Sequence, residues 1–215
     1  KYTQILKENG ITVVHVVANQ KFALKCIDAG VDAIVAEGFE AGGHNGIEEI
    51  TTMCLIPQIK SIIDIPLIAA GGIASGKSIL AAMSLGADGV QIGSLFASSK
   101  ESSAHQNFKK KIIESKDGDT VLTLKEITPV RMLKNEFYNQ IENAYNNNAS
   151  KEELINLLSK GRAKKGIFEG NLVEGELEIG QVSSFISEIK HVKEIFSDLI
   201  NDFNFHKNRI SDIRL

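Results

Sequence analysis

The fold is decided by residues 66–94, PLIAAGGIASGKSILAAMSLGADGVQIGS. Two short apolar runs, 66–72 and 89–94, end in or near glycine and enclose a segment with helical spacing, Ser75 to Leu85, which Ser75 is expected to cap. The stretch therefore predicts a strand, a helix and a second strand, which is the repeating unit of a parallel sheet.

The preceding chain repeats this pattern. Residues 11–17 and 32–37 predict two further strands, and residues 20–29 and 51–63 predict the helices that follow them, with Pro57 confining the regular part of the second helix to its later residues. The strands start about 20 to 35 residues apart, as in βαβ units. We therefore expect an α/β fold, and periodicity leaves open whether it is a (β/α)8 barrel or a small open doubly wound sheet.

The second half of the chain is predicted to be mostly helical. Ser150 and Glu153 form a capping-box pattern at the start of one of these helices. Helices are predicted over residues 101–115, 128–146, 150–165 and 181–203.

Composition excludes several classes of protein. The 215 residues are 43% hydrophobic and 24% charged with a net charge of -3, so the chain is predicted to be globular and has no basic field for nucleic acid. Two cysteines favour a reducing cytoplasm over a disulfide framework. No apolar run reaches the roughly 20 residues of a membrane span, and the first ten residues have no signal core.

Glycine marks the region where chemistry is expected. Gly71 and Gly72 follow one predicted strand, and Gly93 and Ser94 end the next. Backbone N–H groups of Gly72 and Gly93, together with the Ser94 hydroxyl, could bind a phosphate, since ligands of parallel α/β folds bind at the carboxyl ends of strands. The alternative is that both loops are tight turns between strand and helix.

His44 is the candidate catalytic residue. It lies in GFEAGGHNG, residues 38–46, beyond the carboxyl end of the 32–37 strand. The glycines around it leave the imidazole little local packing, and an imidazole titrating near neutral pH suits a general acid or base.

Three ordered motifs resemble those of a known superfamily. They are AEGFEAGGHNG (36–46), IPLIAAGGIASG (65–76) and GADGVQIGSLFASSKESSAH (86–105), and GQVSSFI (180–186) extends the likeness. They are similar to the nitronate monooxygenase (2-nitropropane dioxygenase) superfamily, which includes FMN-dependent enoyl-acyl-carrier-protein reductases. The resemblance implies a TIM-barrel flavoenzyme with an inserted helical lobe.

The resemblance also implies roles for individual residues. It makes His44 the active-site histidine and turns the phosphate hypothesis into a bound FMN. Glu37 stands where many relatives have glutamine, and Ser94 replaces a common threonine but keeps the hydroxyl. The residues implied to bind the cofactor are Glu37, Gly42, Gly43, Gly71, Gly72, Gln91, Ile92, Gly93 and Ser94.

The chain departs from the superfamily in length. Relatives extend about a hundred residues further at the amino terminus, where the first barrel strands lie. We therefore expect residues 1–115 to be the carboxyl-terminal half of the flavin-binding barrel, 116–180 the helical lobe and 181–215 a helix packed on the body. Such a half barrel is not expected to fold stably alone, because two sheet edges would be unpaired.

The resemblance implies two activities. A nitronate monooxygenase oxidises a small alkyl nitronate with O2. An enoyl reductase of fatty-acid synthesis uses the same flavin with NAD(P)H and an acyl carrier protein. A non-enzyme alternative is a barrel fragment that binds a phosphorylated ligand. A homodimer is compatible with each of them.

The remaining reactive side chains are predicted to be structural. His15 is expected to be a strand-end histidine and His105 to hydrogen-bond at the start of its helix. The basic runs 109–111 and 162–165 are expected to be solvated helix faces, although they could dock an acidic carrier. Both cysteines are expected to be buried and inert, and the spacing of Cys and His predicts no zinc site.

Overall fold

The computed structural model describes residues 2–214. The strands are β1 (Val14–Val17), β2 (Ala33–Glu37), β3 (Gly43–His44), β4 (Leu67–Ala70), β5 (Gly89–Gln91), β6 (Thr120–Thr123) and β7 (Val130–Leu133). The helices are α1 (Thr3–Glu8), α2 (Gln20–Asp28), α3 (Thr52–Lys60), α4 (Gly76–Ser84), α5 (Ser94–Ala97), α6 (Gln106–Ile113), α7 (Glu136–Asn146), α8 (Lys151–Leu158) and α9 (Val192–Ser211).

The chain divides into two compact units. Unit 1 reaches to Glu40 and also contains Glu48–Ile92 and the chain from Ser197 onward, whereas unit 2 contains Ala41–Ile47 and Gly93–Phe196. This grouping differs from the sequence-based boundaries at 115 and 180. Helix α6 belongs with unit 2 because its Phe108 packs in one apolar cluster with Leu177 and Ile179 of that unit.

Unit 1 contains the parallel sheet that the sequence predicts. Its strand order is β1-β2-β4-β5, and each neighbouring pair is parallel. The core is built from side chains of β2 and β4, such as Ile34 and Leu67, packed with Leu55 and Ile59 of α3, and all four are fully buried. Burying each such side chain stabilises the fold by about 1.5–3 kcal/mol. Because these strands are parallel, the carboxyl ends of β2, β4 and β5 lie at one edge of the sheet.

The helices of unit 1 begin where their capping residues predict. Asn19 accepts a hydrogen bond from Phe22 at the start of α2, and Ser75 forms a capping box with Ser78 at the start of α4. The predicted limit on α3 is wrong, since the helix runs continuously through Pro57.

Unit 2 contains an antiparallel sheet that the sequence analysis missed. Its order is β3-β7-β6, and β7 lies within the predicted helix 128–146. Only the later part of that prediction is correct, because α7 begins at Glu136. Val130, Leu133 and Phe137 have helical spacing, but Val130 and Leu133 belong to a strand buried on both faces.

Three other predicted helices are shorter than expected. α6 and α8 cover only parts of 101–115 and 150–165, although the capping box at Ser150 is confirmed. The predicted helix over 181–203 is wrong in its first part. A 3-10 helix covers Gln181–Phe185, Ile186 is extended, and α9 begins at Val192.

Candidate functional site

In unit 1, three predicted site residues are brought together at the carboxyl edge of the parallel sheet. The register places Glu37 of β2 opposite Ala70 of β4, and Ala70 opposite Gln91 of β5. Glu37 is half-buried, and burial raises the pKa of its carboxyl. Gln91 is exposed, and Ile92 follows it half-buried.

Gly71 and Gly72 continue directly from β4. Both have left-handed backbone, with φ of 89° and 71°, which a side chain rarely tolerates. A Cβ on Gly71 would lie 2.6 Å from the carbonyl oxygen of Gly38, so packing within the protein already requires glycine there. The atoms nearest to a Cβ on Gly72 would be those of the Glu40 side chain, at 3.4 Å and beyond, which is ordinary contact. Gly72 is therefore the more open of the two positions.

Some of the backbone N–H groups in and after this loop donate hydrogen bonds to other parts of the protein. The N–H groups of Ala74 and Ser75 donate to the Ser78 hydroxyl, and that of Lys77 donates to Asp202. Within residues 2–214, no hydrogen bond takes up the N–H of Gly72. The N–H groups at the start of α4 therefore have acceptors within the protein, whereas the N–H of Gly72 is available to a ligand.

Thr52, at the start of α3, contacts this loop and was not among the predicted site residues. Its Oγ1 lies 2.9 Å from the carbonyl oxygen of Gly71 and 3.1 Å from that of Ala70, and its N–H donates to Glu40. Thr52 thereby holds the chain leaving β4 to the start of α3. A threonine beginning a helix after a glycine-rich loop was the available sequence signal.

In unit 2, His44 lies in the two-residue strand β3 and its side chain is exposed. The strand pairs with β7, which aligns His44 with Val130 and Gly43 with Arg131. Asn45 fixes the backbone that precedes His44, because its Nδ2 donates to the carbonyl oxygens of Ala41 and Gly43 at 3.0 and 2.9 Å. The backbone around His44 is therefore held while the imidazole remains accessible.

Gly42 and Gly43 pack against a segment that contains Glu178. A Cβ on Gly42 would lie 2.3 Å from the carbonyl carbon of Ile179, and a Cβ on Gly43 would lie 3.1 Å from Oε2 of Glu178. Close packing against backbone therefore explains Gly42, whereas Gly43 is explained by its left-handed backbone, with φ of 78°. Burial raises the pKa of Glu178, and the nearby charge of His44 partly lowers it. The sequence analysis did not single out Glu178, although Glu-Leu-Glu-Ile at 176–179 alternates as a strand does.

Gly93 and Ser94 lie at the start of α5, also in unit 2. Ser94 is buried, and its Oγ accepts a hydrogen bond from the N–H of Gly180 at 3.0 Å, so its own proton remains available to a ligand. A Cβ on Gly93 would meet nothing within 4 Å. The structure thus brings Ser94 and Gly42 to the same Ile179–Gly180 segment.

The structure tests the expectations for the other reactive side chains. His105 caps α6 by accepting a hydrogen bond from Asn107, as predicted, while His15 is exposed on β1. Cys26 is buried and its pKa is raised by that burial, but the prediction for Cys54 is wrong because Cys54 is exposed.

Lys109 also differs from its prediction. It is 1% exposed rather than solvated, since its Nζ donates to the carbonyl oxygens of Lys100 and Ser102. The basic run 109–111 is therefore not a continuous docking face. Arg162 in the second basic run is likewise partly buried and pairs with Glu174 at 2.9 Å.

Two kinds of feature are absent from the described part of the chain. None of its helices is both long enough and apolar enough to cross a membrane. No three His, Cys, Asp or Glu side chains between residues 2 and 214 are grouped to hold a metal ion.

Similarity to known proteins covers most of the chain. The sequence profile described as nitronate monooxygenase matches residues 1–202. A probable nitronate monooxygenase of Staphylococcus saprophyticus is 38% identical over 187 residues, which is 82% of this chain and 52% of that protein. The chain therefore spans about half the length of this curated relative.

Two solved structures are similar to the described fold. FabK from Thermotoga maritima matches with a TM-score of 0.88 and 38% identity, covering 98% of this chain and 67% of that one. Nitroalkane oxidase from Streptomyces ansochromogenes matches with a TM-score of 0.81 and 25% identity, covering 97% and 62%. The α/β fold with a parallel sheet is shared with both. With a family profile matching residues 1–202, this chain belongs to the nitronate monooxygenase family.

Proposed function

We propose that the protein carrying this chain is an FMN-dependent nitronate monooxygenase, which oxidatively denitrifies small alkyl nitronates with O2 in the cytoplasm. The observation that carries the proposal is the exposed imidazole of His44 on a fixed strand, in a chain whose residues 1–202 match the family. An exposed histidine on rigid backbone suits proton transfer to or from a small substrate.

The proposal includes the architecture of the parallel sheet. We propose that β1, β2, β4 and β5 are part of a (β/α)8 barrel. Their parallel order supports this, as does the exposed apolar surface of the edge strand β1, where Val14 and Val16 are 46% and 45% exposed. An apolar edge of this kind is stabilised by pairing with a further strand.

The residues of unit 1 fit the phosphate side of FMN. Gly72 has no side chain, and its N–H donates no hydrogen bond within the described residues, so a phosphate oxygen could approach this N–H closely. Backbone N–H groups of this kind bind anions. Glu37 and Gln91 place a carboxyl group and an amide at the same sheet edge, which supports their predicted contact with the flavin. In unit 2, the free space at Gly93 and the spare proton of Ser94 support the roles assigned to them.

FMN, when bound, supplies electron transfer and the reaction with O2. The chain's own contribution is assigned to His44. Toward a neutral nitroalkane, the imidazole takes the proton from the carbon beside the nitro group. Toward a preformed nitronate, from which no proton is removed, an N–H of the imidazole orients the anion by a hydrogen bond. Gly42 and Gly43 are assigned to the loop beside the flavin, where their close packing keeps His44 in place.

FMN- and NAD(P)H-dependent enoyl-acyl-carrier-protein reduction is the second candidate. The similarity to FabK at 38% identity favours it. It would use the same His44 and the same phosphate loop with a different electron donor. Anaerobic mixing with NADH or NADPH separates the candidates, because a reductase bleaches its flavin rapidly in this test. A phosphorylated-ligand-binding protein without turnover would show no flavin absorbance at all.

Replacing Gly72 with aspartate is expected to weaken FMN binding at least about tenfold. The new carboxylate would stand where the phosphate is proposed to bind, and apposed like charges cost several kcal/mol. Flavin retained on the purified protein and its dissociation constant are the measurements.

Gly118→Asp is the matched control for this variant. Gly118 also has a positive φ, 78°, and open space around its Cβ, but it lies in an exposed turn. Gly118→Asp adds the same charge and the same backbone strain away from the proposed phosphate site. It should therefore leave FMN binding unchanged. FMN bound with wild-type affinity by Gly72→Asp would remove Gly72 from the phosphate site.

A further inference from the structure

The segment 176–180 carries two carboxylates on one side. Leu177 and Ile179 are buried in the apolar cluster that contains Phe108. Because side chains alternate along an extended segment, Glu176 and Glu178 point to the opposite side. Neither carboxylate has a part in the function proposed above.

Strand β7 aligns this segment with the catalytic histidine. On one edge of β7, Val130 pairs with His44 in β3, and Met132 forms an antiparallel bridge with Glu178. Val130 and Met132 are two residues apart and point to the same face. Their partners His44 and Glu178 therefore share a face of the sheet and are separated by about 7 Å along it.

Gly43 lets the carboxylate come close to the strand of His44. A Cβ on Gly43 would lie 3.1 Å from Oε2 of Glu178, which is closer than most neighbouring atoms allow. The glycine beside His44 thus makes room for the Glu178 side chain. Asn45, which follows His44, donates hydrogen bonds back to Ala41 and Gly43 and so holds the backbone on both sides of His44 together.

The electrostatics of the segment agree with this geometry. Burial raises the pKa of Glu178 and the charge of His44 lowers it, so the two groups interact. Glu176 lies on the same side of the segment, and burial together with the Glu178 charge raises its pKa to about 7, against the opposing effect of Arg162. Arg131 is a further charged group on β7, where it pairs with Gly43. The carboxylate that interacts with His44 is that of Glu178.

We propose that Glu178 is a positioning residue for His44, whose protonated imidazole it stabilises when His44 takes the substrate proton. In that step the bond between hydrogen and the carbon beside the nitro group breaks, and its electron pair stays on the substrate as the nitronate. The proton forms a new bond to a ring nitrogen of His44. Glu178 remains a carboxylate and takes no proton. The inference rests on the proposed function for the identity of the proton donor.

The first test compares two substrates in the complete protein. Glu178→Gln is expected to lower turnover of a neutral nitroalkane about tenfold or more, because proton removal needs the stabilised imidazolium. Turnover of the preformed nitronate should fall less than about twofold, since no proton is removed from it. Glu178→Asp should recover part of the loss, and Glu169→Gln, which neutralises an exposed partner of Lys164, should behave as wild type. Equal losses on both substrates would overturn the proposal.

The second test needs no turnover. Carboxyl carbon NMR of Glu178 should show its pKa rising further in His44→Gln, because the charge that lowers it is gone. An unchanged Glu178 titration would overturn the pairing even if Glu178→Gln failed to fold. A raised titration in a protein that oxidises neither substrate would keep the pairing and reject the proposed function. Normal nitronate turnover with an unchanged Glu178 titration would keep the proposed function and reject the pairing of Glu178 with His44.

Discussion

Replacing His44 with alanine is expected to lower turnover by about 10²-fold or more while FMN remains bound. General acid–base groups contribute about 10²–10⁴-fold, and the exposed imidazole on β3 is the group assigned to this work. Flavin binding should persist because the phosphate side is assigned to other residues, notably Gly72. Steady-state turnover and the flavin spectrum of the same preparation are the two measurements.

His191→Ala is the control for this substitution. His191 is also an exposed histidine of unit 2, and its Nδ1 lies 3.0 Å from a carboxylate oxygen of Glu101. Its removal deletes an imidazole and a surface ion pair, which are worth at most about 1 kcal/mol. Turnover should therefore stay at the wild-type level. If His44→Ala also kept wild-type turnover, His44 would have no part in the mechanism.

Replacing Gly76 with alanine is expected to destabilise unit 1 by about 3 kcal/mol or more. Gly76 begins α4 at the point where α9 crosses it, and a Cβ there would lie 2.0 Å from the backbone nitrogen of Phe203 and 2.4 Å from the carbonyl oxygen of Leu199. Both contacts are with backbone, so a side-chain rotation cannot relieve them, and overpacking typically costs 1–3 kcal/mol or more. The midpoint of chemical denaturation of the complete protein is the measurement.

Gly89→Ala is the matched control in the same unit. Gly89 lies in β5, and a Cβ there would meet nothing within 4 Å. Alanine is therefore expected to be neutral or to stabilise the strand by about 0.5–1 kcal/mol. Equal denaturation midpoints for the two variants would show that α9 does not contact α4 at Gly76.

The parallel sheet could be predicted from the sequence because its signals are local. Each strand is a short apolar run, and Ser75 marks the start of the helix α4 between two of them. Every strand of this sheet pairs with a neighbour of the same pattern. The loops that follow β2 and β4 could therefore be located, and with them Glu37, Gly71 and Gly72.

The antiparallel sheet could not be predicted because its signals are not local. β3 has two residues, Gly43 and His44, and it becomes a strand only by pairing with β7, which lies more than 80 residues later. The apolar residues of β7 and the start of α7 are spaced as in a helix, and this spacing led to the wrong prediction. Pro129, immediately before β7, disfavours helical backbone at Thr128.

The same reason explains the site residues that the sequence analysis missed. Glu178 is relevant only because β7 aligns it with His44, and Thr52 only because it contacts the carbonyl oxygens after β4. Lys109 was predicted to be a solvated charge because its hydrogen-bond acceptors are backbone carbonyl groups, which no residue type in the sequence marks. Long-range pairing, and not composition, determines these three roles.

Oxygen uptake on addition of an alkyl nitronate to the complete, FMN-loaded protein tests the central claim most directly. We expect oxygen consumption with the nitronate. With a neutral nitroalkane, we expect oxygen consumption that is reduced about 10²-fold or more in His44→Ala and unchanged in His191→Ala. The same protein should show no rapid flavin bleaching by NADH or NADPH. Rapid bleaching by either nicotinamide, with no oxygen uptake on the nitronate, would contradict the account.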